Sequence, residues 1–172
     1  EAAASAAMQG QTMQLQFARQ EQQLGTGHAV QQALPHLPDT GMVLILSGDV
    51  PLTQAATLQA LLAPSGGDKL ALLTIHLPDP TGYGRVIRAA DGGGAVQAIV
   101  EQKDASEAQK QISEIYSGIM ALPCAQLKKW LAQLDNNNAQ QEYYLTDVVK
   151  FAAADGCPVV AHVISDEAEV AG

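Results

Sequence analysis

The feature that most limits what this chain can fold into is an unbroken apolar run, Met42-Val43-Leu44-Ile45-Leu46, which stops at Ser47-Gly48-Asp49 and is followed by Pro51. A run of this length bounded by turn residues reads as a strand buried on both faces, the kind found inside an α/β sheet. In an open parallel sheet, ligands gather just beyond the carboxyl ends of such strands, and Asp49 is the first charged side chain past this end. Pro51 disfavours the α region for Val50, so the chain is expected to leave the strand extended, with the carboxylate at the sheet rim. Taken by itself, Asp49 serves equally well as a turn residue or as the cap of the next helix.

Around this run, strand and helix patterns alternate. Glu1 to Gly10 is Ala-rich and reads as the tail of a helix, and Thr12 to Phe17 puts Met13, Leu15 and Phe17 on one face of a strand. Gly25-Thr26-Gly27 opens a helix with Thr26 as its N-cap and Ala29, Val30, Ala33, Leu34 and Leu37 as its apolar stripe. This glycine turn either offers backbone N–H groups to an anion or is simply a turn plus a cap. Thr53 to Ala63 reads as a helix, Leu70 to Leu77 as a strand, and Asp79 to Arg85 as a tight glycine loop. Val86 to Arg88 and Ala95 to Val100 pair as a hairpin through Asp91-Gly92-Gly93-Gly94. A short helix over Ser106 to Gln111 leads to a strand over Ile112 to Leu122, interrupted at Ser117-Gly118. Pro123 starts a helix with Leu127, Trp130, Leu131 and Leu134 inward; Tyr143 to Ala154 forms another, and Pro158 to Ile164 is a last strand. The pattern predicts one α/β domain with a mostly parallel central sheet and a small antiparallel insert.

Composition narrows the function. The 172 residues are 47% apolar but only 4% aromatic, which suits aliphatic strands and Ala-rich helices. A formal charge of −9 argues against nucleic acid or an anionic membrane surface as partner. No apolar run approaches a membrane span, so no membrane insertion is expected. Cys124 and Cys157 are isolated and read as reduced thiols of a cytoplasmic protein; the four His are scattered, which argues against a His/Cys metal site. No G-x-G-x-x-G follows a strand, which disfavours a dinucleotide-dependent dehydrogenase.

Several separate stretches together resemble one family. Gln20 with Gln23-Leu24-Gly25-Thr26-Gly27-His28-Ala29, then Leu46-Ser47-Gly48-Asp49-Val50-Pro51-Leu52, then Asp79-Pro80-Thr81-Gly82-Tyr83-Gly84-Arg85, occur in order. Ile99-Val100-Glu101-Gln102-Lys103-Asp104-Ala105 and Asn136-Asn137-Asn138-Ala139 with Glu142-Tyr143-Tyr144-Leu145-Thr146-Asp147 complete the set. These stretches, spanning Gln20 to Lys150, are similar to the uridyltransferase (pyrophosphorylase) domain of the bacterial bifunctional N-acetylglucosamine-1-phosphate uridyltransferase and glucosamine-1-phosphate acetyltransferase. The long matches at Asp79–Arg85 and Asn136–Asp147 are the specific ones.

The resemblance implies a Rossmann-like nucleotidyltransferase fold and transfer of UMP from UTP to N-acetylglucosamine-1-phosphate. The products would be UDP-N-acetylglucosamine, for peptidoglycan and lipopolysaccharide precursors, and pyrophosphate. It implies Mg²⁺ as cofactor, with Asp49 as metal ligand and catalytic residue; Mg²⁺ commonly takes only one or two protein carboxylates. Gln20, Gly25, Thr26, Ser47 and Gly48 would bind the nucleotide, while Gly84, Glu101, Tyr116 and Thr146 would bind the sugar. Another sugar-1-phosphate nucleotidyltransferase, or a nucleotide-sugar-binding module without chemistry, is the alternative. One departure concerns the sugar: Glu114-Ile115-Tyr116-Ser117-Gly118 carries Tyr116 where the family usually has an Asn. The family's opening strand and Gly-rich triphosphate loop would precede Glu1, and its second metal ligand, an Asn, would follow Gly172. These residues are therefore expected to be the interior of one nucleotidyltransferase domain, inactive and poorly stable by themselves. The parent protein would be a homotrimer through a β-helix acetyltransferase domain.

Overall fold

Strands β2 (Leu70–His76) and β5 (Glu114–Pro123) form the centre of the sheet in the computed structural model, which describes residues 14–90 and 94–171. Their side chains alternate between two cores. On β2, Leu70 and Leu72 face one side, Ala71, Leu73 and Ile75 the other, and none of the five is more than 1% exposed. The first side is covered by helix α1 (Thr26–Ala33) through Val30, α4 (Cys124–Leu131) through Leu127, Trp130 and Leu131, and α5 (Asp147–Ala154) through Val148, Val149 and Ala152. The second is covered by α2 (Ala55–Ser65) through Leu61 and, near the end of the chain, by Val170. Helices on both faces of one sheet give the expected three-layer α/β, Rossmann-like arrangement.

The remaining strands are β1 (Met42–Ile45), β3 (Arg85–Arg88), β4 (Val96–Val100) and β6 (Val159–Ile164). The order is β4-β3-β5-β2-β6, with β1 also on β5. Strands β1, β2, β3 and β6 run one way and β4 and β5 the other, so most strands share a direction. The hydrogen-bonded pairing is nevertheless mixed: among the described strands only β2–β6 is a parallel pair. The chain reverses at the β3–β4 hairpin, and the short helix α3 (Glu107–Lys110) delivers β5 in the direction of β4, between β2 and β3.

Met42–Leu46 departs from its expected double burial. All four residues of β1 are only half-buried and Leu46 is 53% exposed. Within the described residues β1 bonds β5 along one edge and nothing along the other. The strands sealed on both faces are β2 and β5, which have neighbours on both sides. The strand expected over Thr12–Phe17 is not present in its described part: residues 14–17 are irregular and Leu15 and Phe17 are exposed. The helix tail expected over Glu1–Gly10 and the tip of the β3–β4 turn lie outside the described residues. Helix α5 starts at Asp147 rather than Tyr143, because the Tyr143 N–H donates to Leu24 O and its carbonyl accepts from the Gly27 N–H, both at 2.8 Å. No helix among the described residues is long and apolar enough to cross a membrane.

Candidate active site

A break in strand pairing opens the cleft. One edge of β5 is shared: β1 pairs with Met120–Pro123 and β3 with Ile115, so the end of β1 and the start of β3 face each other across the residues between. Leu72 lies opposite Met120 but Thr74 opposite Tyr116, so two steps along β2 match four along β5. The surplus is the interruption at Ser117-Gly118, which forms a bulge. Ser117 Oγ donates to Leu73 O at 2.9 Å and pins the bulge to β2, while Gly118 takes φ +88°, a conformation suited to glycine. Over this bulge sits a cavity of about 460 Å³.

Eight of the ten residues singled out from the sequence line this one cavity: Thr26, Ser47, Gly48, Asp49, Gly84, Glu101, Tyr116 and Thr146. They come from stretches up to 120 positions apart (146 − 26) that the sheet topology brings together. Gln20 and Gly25 stand behind the lining. Gln20 Nε2 donates to Gly25 O at 3.1 Å and lies 3.0 Å from His28 Nδ1, so its amide braces the glycine turn. That turn is itself clamped: a Cβ on Gly25 would stand 2.7 Å from Tyr143 O. The Gly27 N–H is already taken by Tyr143 O and is not free to hold an anion. Thr26 occupies the first turn of α1 rather than its cap, and its Oγ accepts from Leu145 N at 3.1 Å.

The wall at the end of β1 is exposed and carries Asp49. Ser47 Oγ donates to Asp49 Oδ1, and the Ser47 side chain rests on Gly118, whose Cβ, if present, would lie 2.9 Å from Ser47 Cβ. Among the described residues no three His, Cys, Asp or Glu side chains cluster as a metal cage. A lone accessible carboxylate beside a hydroxyl suits a hard, largely hydrated divalent cation such as Mg²⁺ and does not suit Zn²⁺.

The opposite wall is enclosed. Gly84 is required by contact: a Cβ there would stand 2.8 Å from Ile99 Cγ2 and 3.4 Å from Glu101 Oε2. Glu101 Oε1 accepts from Thr146 Oγ1 at 2.8 Å. Burial holds the Glu101 carboxyl above its ordinary range; the Thr146 bond opposes that rise, and the charges of Asp104 and Asp147 add to it. Tyr116 N donates to Gly84 O at 2.9 Å. The Tyr116 hydroxyl is shut off from solvent without a partner, and burial, followed by the Glu101 charge, pushes it well above the usual phenol range, so it stays an O–H.

Part of the matched Asn136–Asp147 stretch builds the wall from behind. Asn138 Oδ1 accepts from Gln140 N and Glu142 N, both at 3.2 Å, and closes the loop on itself. Asp104 ties this loop to the segment after β4 by accepting from Ala139 N at 2.9 Å and the Tyr144 hydroxyl at 3.1 Å. Val170, Leu145 and Gly118 also line the cavity and were not singled out from the sequence. For Gly118 the signal was the break in an apolar strand; Leu145 in a turn and Val170 at the end of a 3₁₀ turn (Glu167–Val170) give no such signal.

A divided sheet edge, a bulge beneath the cleft and an exposed carboxylate at the end of β1 define an α/β protein with one candidate site at the strand ends. The sequence model of the nucleotidyl transferase family matches residues 2–168, and the chain belongs to that family. Among curated relatives, the bifunctional protein GlmU of Polaromonas naphthalenivorans is 68% identical over 161 residues, covering 93% of this chain and 34% of its own length. That of Albidiferax ferrireducens is 68% identical over 158 residues, covering 92% and 33%. The protein of the same name from an Acidovorax species is 61% identical over 171 residues, covering 99% and 36%. The chain thus spans about a third of the length of the curated relatives it matches.

Proposed function

We propose that this chain carries the sugar-nucleotide-forming part of its protein, transferring UMP from UTP to N-acetylglucosamine-1-phosphate and giving UDP-N-acetylglucosamine and pyrophosphate. What supports this reading most is the gathering of Asp49, Gly84, Glu101 and Thr146, from distant stretches, around one cavity of about 460 Å³. A site with an open carboxylate wall and an enclosed polar wall suits a substrate that is phosphate at one end and hydroxyl-rich at the other.

Attack of a sugar phosphate oxygen on the α-phosphorus of UTP forms a new P–O bond and breaks the bond to the β-phosphate bridging oxygen, which leaves with pyrophosphate. Such transfers depend on holding two anions in line, more than on protein acid–base chemistry. Asp49 would hold Mg²⁺, which when bound screens the charge of the phosphates and acts as a Lewis acid. Ser47 orients the Asp49 carboxylate by its hydrogen bond, and Gly48 leaves the strand end open to phosphates. Thr26, with Gly25 and Gln20 behind it, forms the nucleotide side. On the sugar side, Gly84 lets the backbone approach the ring, Glu101 accepts from sugar hydroxyls or an amide N–H, Thr146 holds Glu101, and Tyr116 supplies a protonated wall.

The test uses the full-length protein with UTP, N-acetylglucosamine-1-phosphate and Mg²⁺, following pyrophosphate and nucleotide-sugar together. Equimolar release of both products is expected, with loss of turnover on chelation. Preference for a different nucleoside triphosphate or sugar phosphate would favour the sister transferases. Nucleotide-sugar binding without pyrophosphate release would favour a module that has lost chemistry.

A further inference from the structure

Arg85 is a buried cation, 1% exposed, that forms no ion pair among the described residues. Its guanidinium donates to three neutral acceptors: Tyr83 O, Gln102 Oε1 at 2.7 Å and Lys110 O at 3.5 Å, while Nε is buried without a partner. A buried charge held by neutral acceptors without a direct ion pair costs stability, and a well-packed apolar side chain of the same volume usually does at least as well. What an apolar side chain cannot do is join three segments of chain. Two of these segments border the enclosed wall of the cavity. Tyr83 immediately precedes Gly84, and Gln102 immediately follows Glu101. The rigid fork of one guanidinium therefore spans the start of β3 and the end of β4 at the place where Gly84 and Glu101 nearly touch.

We propose that Arg85 is a positioning residue for the sugar-phosphate side of the site, fixing the Glu101 carboxylate against the Gly84 backbone through Gln102 and Tyr83. The inference rests on the sugar-side role proposed above for Gly84 and Glu101. The spacing there is close enough that a lost tie matters: a Cβ on Gly84 would stand 2.8 Å from Ile99 Cγ2 and 3.4 Å from Glu101 Oε2, so the gap admits no side chain larger than that of glycine. Displacing a substrate-positioning group by about 1 Å can cost about 10²-fold. The neighbouring pair Arg88–Glu114 offers the contrast. It is a salt bridge of 2.7 Å at the far end of β3, away from the cavity, and reads as structural.

The test compares variants of the full-length protein by their Michaelis constants for each substrate. Gln102 is only half-buried, so Gln102→Ala should fold even if an Arg85 variant does not. Gln102→Ala is expected to raise the KM for the sugar phosphate about tenfold, the effect of one lost charge-assisted hydrogen bond, while leaving that for UTP and the melting temperature nearly unchanged. Gln102→Glu, which keeps an acceptor for the guanidinium, should restore it. Arg85→Lys, a point charge that cannot span both acceptors, should raise the same KM further and also lower the melting temperature. The proposal fails if these variants lower only stability, or if they raise both Michaelis constants alike. Wild-type use of a different sugar phosphate would overturn the substrate proposed above, and the same split would then be read with that sugar phosphate.

Discussion

The two walls of the cleft are built on opposite terms. The enclosed wall is buried and cross-linked: Thr146 holds Glu101, Arg85 ties Tyr83 to Gln102, and Asp104 ties the 136–144 loop to the segment after β4. The wall at the end of β1 is open: Leu46 is 53% and Leu52 62% exposed, and among the described residues the Asp49 carboxylate has one side-chain partner, Ser47. On the proposed reading the sugar ring would lie against the enclosed wall; a hydroxyl-rich ring gains little from any one contact, so a wall that selects it is best preorganised. On the same reading the open wall would take a hydrated cation and phosphates, which need water exchange and room that a sealed carboxylate would deny. The contrast predicts that substitutions on the open wall will affect activity more than stability, and that those at the most enclosed groups of the other wall, Arg85 and Glu101, will affect both.

The largest effect tests the open wall. Asp49→Asn in the full-length protein should reduce turnover about 10³-fold, the several kcal/mol that a cation ligand supplies in charge stabilisation. Its melting temperature should move little, because an exposed side chain with a single local partner contributes within about 0.5 kcal/mol. Turnover within tenfold of wild type would place the cation elsewhere and remove the functional half of the contrast.

Next comes the seam between the walls. Gly118→Ala adds a Cβ 2.9 Å from Ser47 Cβ at a residue with φ +88°. The strained backbone costs about 1–3 kcal/mol, and the crowded Ser47 swings Asp49 with it, so stability and turnover should both fall, turnover by about 10²-fold. Adding Ser47→Gly relieves the crowding but not the backbone strain. The double variant should therefore recover little stability. Recovery of stability in full would show that the φ constraint at the bulge is not what holds it.

Legibility in the sequence followed burial. Strand β2 and the inward faces of α4 and α5 were plain because they are apolar with a clear period, and these positions are sealed in the structure. The Met42 run has the same composition yet sits half-buried, since composition reports what a strand can bury and not how many neighbours it has. The direction of β5 was not readable either: its reversal depends on where a short connection crosses the sheet, which leaves no periodic trace. At the site, Asp49 and the Ser117-Gly118 break stood out because they end or interrupt apolar runs, whereas Gly84 and Glu101 were read through the family resemblance. Arg85 lay inside a recognised loop, but its partners Gln102 and Lys110 are 17 and 25 positions away, and only the folded hairpin joins them. Tyr116 was visible as a departure from the family, whereas its unpartnered hydroxyl was not.

The smallest expected effect sharpens the closed wall. Because burial holds the Glu101 carboxyl above its ordinary value of 4.5, the folded chain keeps that proton to higher pH than the unfolded chain. Where the folded state binds more protons, stability falls as pH rises. The Glu101 contribution is therefore complete below the unfolded value and is lost as pH climbs through the raised one. Glu101→Gln removes the charge that burial penalises, so it should raise the melting temperature near neutral pH and flatten the decline just above pH 4.5. Its amide offers one oxygen acceptor where the carboxylate offered two, so the KM for the sugar phosphate should rise about tenfold, with that for UTP unchanged. Greater stability together with weaker sugar binding would mark a carboxylate kept for its ligand at the expense of the fold. A variant that is less stable at every pH would show instead that the Thr146 bond outweighs the burial, and that the enclosed wall is structural at Glu101.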